Sequence, residues 1–274
     1  MINALYNKMK LFLKNITALK VLFFAAAFCI VYDAARHKGM IRVLLPKTFP
    51  DAAVQCPTAL PAAFNFQAKK WIKAVNSNNA LTALPLHLPG IETDIYFNAG
   101  QNKFEVRHDP GEAPTGQLDS ILQFLKQHSA TAGIWLDIKN LDSSNMLQAA
   151  QAITVLRDSF SLEGRIIIES PQAQCLQPFV DNNFFTSFYA PYFNPYLVSD
   201  AQLTRYADSI RLLLAQYPVH AVSGYYYQVN FLKAYLPGYP VLSWFKKNEW
   251  SIPGYLLYNK LAADTAIKII LQPL

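Results

Sequence analysis

"GIETDIYFNAGQNKFEVRHDP", residues 90–110, reads as two extended runs joined by a turn. The first, Gly90–Phe97, sets β-branched and aromatic residues around two acids; the second, Lys103–Asp109, ends in Arg-His-Asp. Between them "NAGQNK" supplies the Asn and Gly that a tight turn needs. Glu92 and Asp94 lie two positions apart, and side chains two apart on a strand share a face. The hairpin therefore aims two carboxylates the same way from within an apolar run.

The pattern continues on either side. From Trp71 onward, short β-branched or aromatic runs alternate with longer helix-compatible segments. The expected strands are "WIKAV" (71–75), "GIETDIYF" (90–97), "GIWLDIK" (133–139), "RIIIES" (165–170), "FTSFYAPY" (185–192), "AVSGYYY" (221–227), "PVLSWF" (240–245) and "AIKIILQP" (266–273). "KFEVRHD" (103–109) is a ninth extended piece. Helices are expected over 117–130, 143–160 and 199–217. Eight strands separated mostly by helices predict an α/β chain folded as a (β/α)8 TIM-type barrel. A doubly wound open sheet satisfies the same alternation. "AVNSNNA" after the first strand contains no glycine, which weakens dinucleotide and P-loop readings.

The chain has 274 residues, enough for a substantial core, and is 52% hydrophobic and 15% charged, which excludes general disorder. Its net charge of +6 is of the sign that nucleic acid attracts, but Lys8, Lys10, Lys14 and Lys20 all precede the first acidic residue, Asp33. No Lys/Arg stripe with interleaved aromatics follows, so no nucleic-acid partner is expected. The basic stretch leads into "VLFFAAAFCIVY" (21–32), the pattern of an export signal. Residues 1–36 are thus expected to be an export signal or membrane anchor, preceding a proline-rich connector (37–68) and the barrel (69–274). A buried N-terminal helix is the alternative. The expected location is outside the cytoplasmic membrane: periplasmic, secreted, or anchored through an uncleaved N-terminal segment. If the domain is exported, Cys56 and Cys175 could pair; two unrelated thiols fit the sequence equally.

Asp137 and Lys139 in "WLDIKN" repeat the two-apart spacing on the third strand. A carboxylate in such an apolar run costs several kcal/mol to bury unpaired. Two compensations are open: a hard divalent cation, or a closed salt-bridge network among Glu92, Asp94, Asp137 and Lys139. Glu169, ending "IIIES", either joins the cluster or faces solvent. His108 is the candidate for proton transfer or nucleophilic attack, since imidazole changes charge near neutral pH. His87, His128 and His220 lie in weaker contexts.

"WIKAVNS" (71–77), "GIETDIYF", "RHDP" (107–110) and "LDIKN" (136–140) together resemble the phospholipase-C-like phosphodiesterase superfamily, which includes glycerophosphodiester phosphodiesterases, sphingomyelinase D enzymes and the menorin group. The resemblance implies a metal-binding site for one Mg²⁺ or Ca²⁺ at Glu92, Asp94 and Asp137. It implies phosphate contact by Lys139, catalysis by His108 and a pocket lined by Trp244 in "LSWF". It departs at Lys73, which stands where the family has its first catalytic histidine. The resemblance thus implies a phosphoric diester hydrolase or lyase acting on a small phosphodiester or lipid headgroup, with Lys73 as the altered acid–base position. Two other readings remain: an inactive barrel that binds a phosphate, polyol or cell-surface ligand, and a membrane-tethered protein without a site.

Overall fold

The computed structural model describes residues 2–61, 64–66, 68–85, 87–128, 131–245 and 251–274, with side chains from residue 19 on. Residues 129–130, at the end of one expected helix, and 62–63 and 67, in the expected connector, lie outside them. The chain divides into two compact units: residues 1–46 with 249–260, and residues 47–248 with 261–274.

The first unit contains helix α1 (Ile2–Arg36) and a short α2 (Lys38–Leu44). Among the described residues no helix is long and apolar enough to cross a membrane.

The second unit is the barrel. Its strands are β1 (Lys70–Ile72), β2 (Gly90–Asn98), β3 (Lys103–Val106), β4 (Gly116–Gln117), β5 (Gly133–Ile138), β6 (Ile166–Ser170), β7 (Phe185–Tyr189), β8 (Ala221–Tyr225), β9 (Val241–Trp244) and β10 (Ile267–Gln272). Eight of them run parallel in the order β1-β2-β5-β6-β7-β8-β9-β10, and β10 pairs back to β1. The sheet therefore closes, and the open-sheet alternative is excluded. β2 outruns its parallel neighbours, and its last four residues pair antiparallel with β3 as the expected hairpin. β4, which the sequence analysis does not anticipate, adds two residues beyond β3.

The expected helices form as α4 (Leu118–His128), α5 (Met146–Phe160) and α7 (Asp200–Gln216), beside the shorter α3 (Asn78–Thr82), α6 (Gln177–Asp181) and α8 (Val229–Tyr235). A last helix, α9 (Ile252–Ala263), precedes β10. Ser199 opens α7 with a reciprocal cap: its hydroxyl accepts from the Gln202 amide, and the Gln202 side chain reaches back to the Ser199 amide.

Along β5, β6, β7 and β8 the inward position changes from apolar to polar after one step of two. Trp135, Ile167, Phe185, Ala221 and Leu242 belong to the buried interior cluster, together with Trp71, Ile269 and Leu271. Two residues on stand Asp137, Glu169, Ser187, Ser223 and Trp244, at or near the carboxyl ends. Trp71 occupies space left by two glycines. A Cβ on Gly90 would lie 2.3 Å from its ring, and one on Gly133 would lie 2.4 Å away. Phe64 and Phe66 pack against the same cluster and face Phe185 at ring separations of 5.2 and 5.4 Å. The barrel is thus filled from its amino end by aromatic side chains, and polar side chains are confined to the other end.

Candidate metal centre and its surroundings

Glu92, Asp94 and Asp137 are all buried, and each offers an oxygen within 4.8 Å of the others. The pairing of β2 with β5 sets Asp94 level with Asp137, and β5 with β6 sets Asp137 level with Glu169. Four carboxylates thereby converge. Glu169 is 2% exposed, so it faces the interior rather than solvent.

The loop after β1 holds this cluster from one side. Ala74 adopts a left-handed backbone (φ 57°), and its amide donates to Glu92 Oε2 at 2.6 Å. The Asn76 side chain grips β2 twice: Nδ2 donates to Asp94 Oδ2 (2.5 Å), while Oδ1 accepts the Asp94 amide (2.9 Å) and the Thr93 hydroxyl (3.0 Å). Asn140, in the loop after β5, exchanges two hydrogen bonds with the Phe97 backbone and so ties β5 to β2 beyond the acids. Neither asparagine is assigned a role by the sequence analysis, although both lie within its motifs.

Lys139 Nζ bridges Asp94 Oδ1 (2.7 Å) and Asp137 Oδ2 (2.5 Å). Burial opposes the charge on this ammonium, but the two aspartates outweigh it and raise its pKa above the ordinary lysine value. Burial, reinforced by the charges of Asp94 and Asp137, pushes the Glu92 carboxyl well above the usual range. Glu169 is raised in the same way by burial and by Asp137. Asp137 is raised by burial against the opposing pull of Lys139.

The other two expected residues are held differently. Lys73 follows β1 directly, with its amide bonded to Gln272 O at 2.7 Å. Its Nζ lies 5.8 Å from the Trp244 ring centroid, and among the described residues it forms no salt bridge with Glu92 or Asp137. Lys139, not Lys73, is the cation among the acids. His108 is exposed, and its Nδ1 is 3.1 Å from Asp109 Oδ1. Tyr96 donates to the His108 carbonyl at 3.4 Å, while Arg107 stacks over the Tyr96 ring.

A cavity of about 110 Å³ joins these groups, lined by Lys73, His108, Lys139, the four carboxylates, Trp135, Tyr189 and Trp244. Tyr189 meets Trp244 edge to face at 5.0 Å, and burial beside Glu169 and Asp137 pushes its hydroxyl up to about 12. Of the other histidines, His220 accepts the Thr186 amide at Nδ1 and stacks on Phe185, away from the cavity. Cys29, Cys56 and Cys175 are free thiols.

The donor set fits a hard divalent cation. Asp137 Oδ1 is buried without a hydrogen-bond partner, as is Glu169 Oε2. Lys139 and Lys73 together supply two positive charges to a pocket with four carboxylates, and oxygen-only donors suit Mg²⁺ or Ca²⁺.

No protein-family model and no curated protein matches the sequence. Solved structures do match. A glycerophosphodiester phosphodiesterase from Parabacteroides distasonis is 13% identical, with 75% of this chain and 93% of that chain covered at a TM-score of 0.52. A candidate glycerophosphoryl diester phosphodiesterase from Silicibacter pomeroyi is 12% identical over 78% and 91% of the two chains, at 0.54. A candidate glycerophosphodiester phosphodiesterase from Galdieria sulphuraria is 12% identical over 75% and 93%, at 0.53. These similarities show the fold: the chain shares the (β/α)8 barrel of those structures.

Proposed function

We propose that the protein is a divalent-cation-dependent phosphodiesterase acting outside the cytoplasmic membrane on a glycerophosphodiester or phospholipid-like substrate. The observation that carries this reading is the buried set Glu92, Asp94 and Asp137, with Lys139 beside it, at the carboxyl ends of parallel strands. The unpartnered Oδ1 of Asp137 supports a ligand at this set over a closed salt-bridge network.

Mg²⁺ or Ca²⁺ held by the three carboxylates would supply a Lewis acid that neutralises a phosphate oxygen. Lys139 would bind a second phosphate oxygen, exchanging one carboxylate contact for it. His108, at the exposed rim and hydrogen-bonded to Asp109, would act as nucleophile or general base. Lys73, on the cavity lining over the Trp244 ring, would be the leaving-group acid. An ammonium there would be a weaker proton donor at neutral pH than an imidazolium. The Trp244 and Tyr189 rings would flank the substrate.

The full chain, incubated with a glycerophosphodiester, is expected to turn over with Mg²⁺ or Ca²⁺ and to stop in EDTA; metal-independent turnover would overturn the mechanism. A second reading, an inactive barrel binding a phosphate or polyol, is favoured by the position of Lys73 against Trp244. It is supported if phosphate or a polyol binds by calorimetry while no diester is cleaved under any metal.

A further inference from the structure

The excess positive charge of the chain sits in one of its two units. Residues 1–46 and 249–260 carry eight Lys and Arg against two acidic residues, which accounts for the whole +6. The barrel unit carries sixteen of each sign.

This basic unit also exposes a long apolar run. Val21, Leu22, Phe23, Phe24, Phe28 and Ile30 on α1 are all exposed, Phe28 by 71%. They lie all round the helix rather than along one stripe. A protein partner covers one face of a helix; an apolar surface exposed all round calls for an environment that surrounds it, as lipid does.

A second element, more than 200 residues later in the chain, joins it. Asp33 Oδ2, just past the apolar run of α1, accepts the Ile252 amide at 2.8 Å. Lys260 Nζ donates to the carbonyls of Val43 and Leu44, fixing the far end of this segment to α2. Held in this way, α9 turns Leu257 inward and leaves Ile252, Tyr255 and Leu256 exposed by 51%, 68% and 50%. The spacing i, i+3, i+4 puts those three on one face. An apolar helix face with a tyrosine, in a unit with surplus lysine and arginine, has the composition of an interfacial membrane element.

We propose that this unit docks on an anionic phospholipid surface, with the Ile252–Tyr255–Leu256 face of α9 entering the membrane interface beside the apolar run of α1. The proposal goes beyond the phosphodiesterase reading and does not depend on it.

Two variants of the full chain test it on vesicles of phosphatidylcholine with and without phosphatidylglycerol. In Leu256→Trp, the added indole, read as the difference from wild type, is expected to shift to shorter wavelength and be quenched by bilayer-embedded spin-labelled lipid. Both effects should occur on anionic vesicles and weaken in high salt. The triple variant Ile252→Ser/Tyr255→Ser/Leu256→Ser is expected to co-sediment with the same vesicles at least about tenfold more weakly. All three side chains are exposed, so unchanged thermal unfolding verifies the fold, and Tyr255→Ser alone serves as a milder variant. An added indole that stays water-like while the chain sediments with vesicles would mean that α1 docks alone, and overturns the proposal. Equal binding to uncharged vesicles, or a stable dimer that ignores vesicles, also overturns it. Hydrolysis of a soluble diester by the triple variant is expected to be unchanged, which keeps this test separate from that of the catalytic reading.

Discussion

The two sides of the cavity are built to different standards. On the β2–β5 side every acid is buried and has a fixed partner: Ala74 N–H on Glu92, Asn76 on Asp94, Lys139 on Asp94 and Asp137. By contrast the His108 side chain is exposed and meets its chain neighbour Asp109, and the Lys73 ammonium lies over the Trp244 ring. Groups that hold a cation need their geometry set in advance, because displaced carboxylates repel one another. Groups that move protons can tighten when a substrate arrives. The contrast therefore separates a preorganised carboxylate half, suited to hold a cation, from a looser half around His108 and Lys73.

The sharpest test of the looser half is Lys73→His. If the missing histidine is what limits the loose half, diester turnover in the presence of metal should rise by about 10²-fold or more. Unchanged turnover would remove this position from the acid–base chemistry. The rigid half is tested by Asn76→Ala, which should lower calorimetric affinity for Mg²⁺ or Ca²⁺ by about 10–100-fold, as expected when a group orienting a ligand is lost. His108→Ala should leave that affinity unchanged. If both variants weakened the metal equally, the division into two halves would collapse.

The smallest effect concerns pH. Glu92 and Glu169 are raised above the ordinary value of 4.5 in the folded chain. They bind more protons folded than unfolded, so the stability they contribute is full below about 4.5 and lost as pH rises through the raised values. In EDTA, thermal unfolding should move to lower temperature as pH increases above 4.5, and a divalent cation should flatten the decline. A melting temperature that climbs over that range in EDTA would show that the carboxylates are compensated without metal.

The strand cores and the inward acids were legible because both rest on local periodicity. β-branched runs mark the strands, and E-x-D and D-x-K fix a common face whatever surrounds them. Glu169 was ambiguous for a physical reason: a carboxylate at a strand end faces water or the barrel mouth depending on neighbours far away in sequence. The grip of the β1 loop was less legible still. It depends on a left-handed alanine at position 74, and nothing in the residue type announces that backbone. The pairing of Asp33 with Ile252 joins positions 219 residues apart and has no periodic signature. The two-residue strand β4 is too short for any pattern.

Trp71 sets the level at which this site is assembled. One indole fills the volume that side chains at Gly90 and Gly133 would need, so β1, β2 and β5 share a single reference point at the base of the barrel. Counting upward in steps of two from Trp71, Gly90 and Gly133 gives Lys73, Glu92 and Trp135, and one further step gives Asp94 and Asp137. A slip of one residue on any of these strands would turn its functional side chain to the outer face. The tryptophan wedge works as a ruler: it measures the height of a charge cluster that stands two to four residues further along the strands.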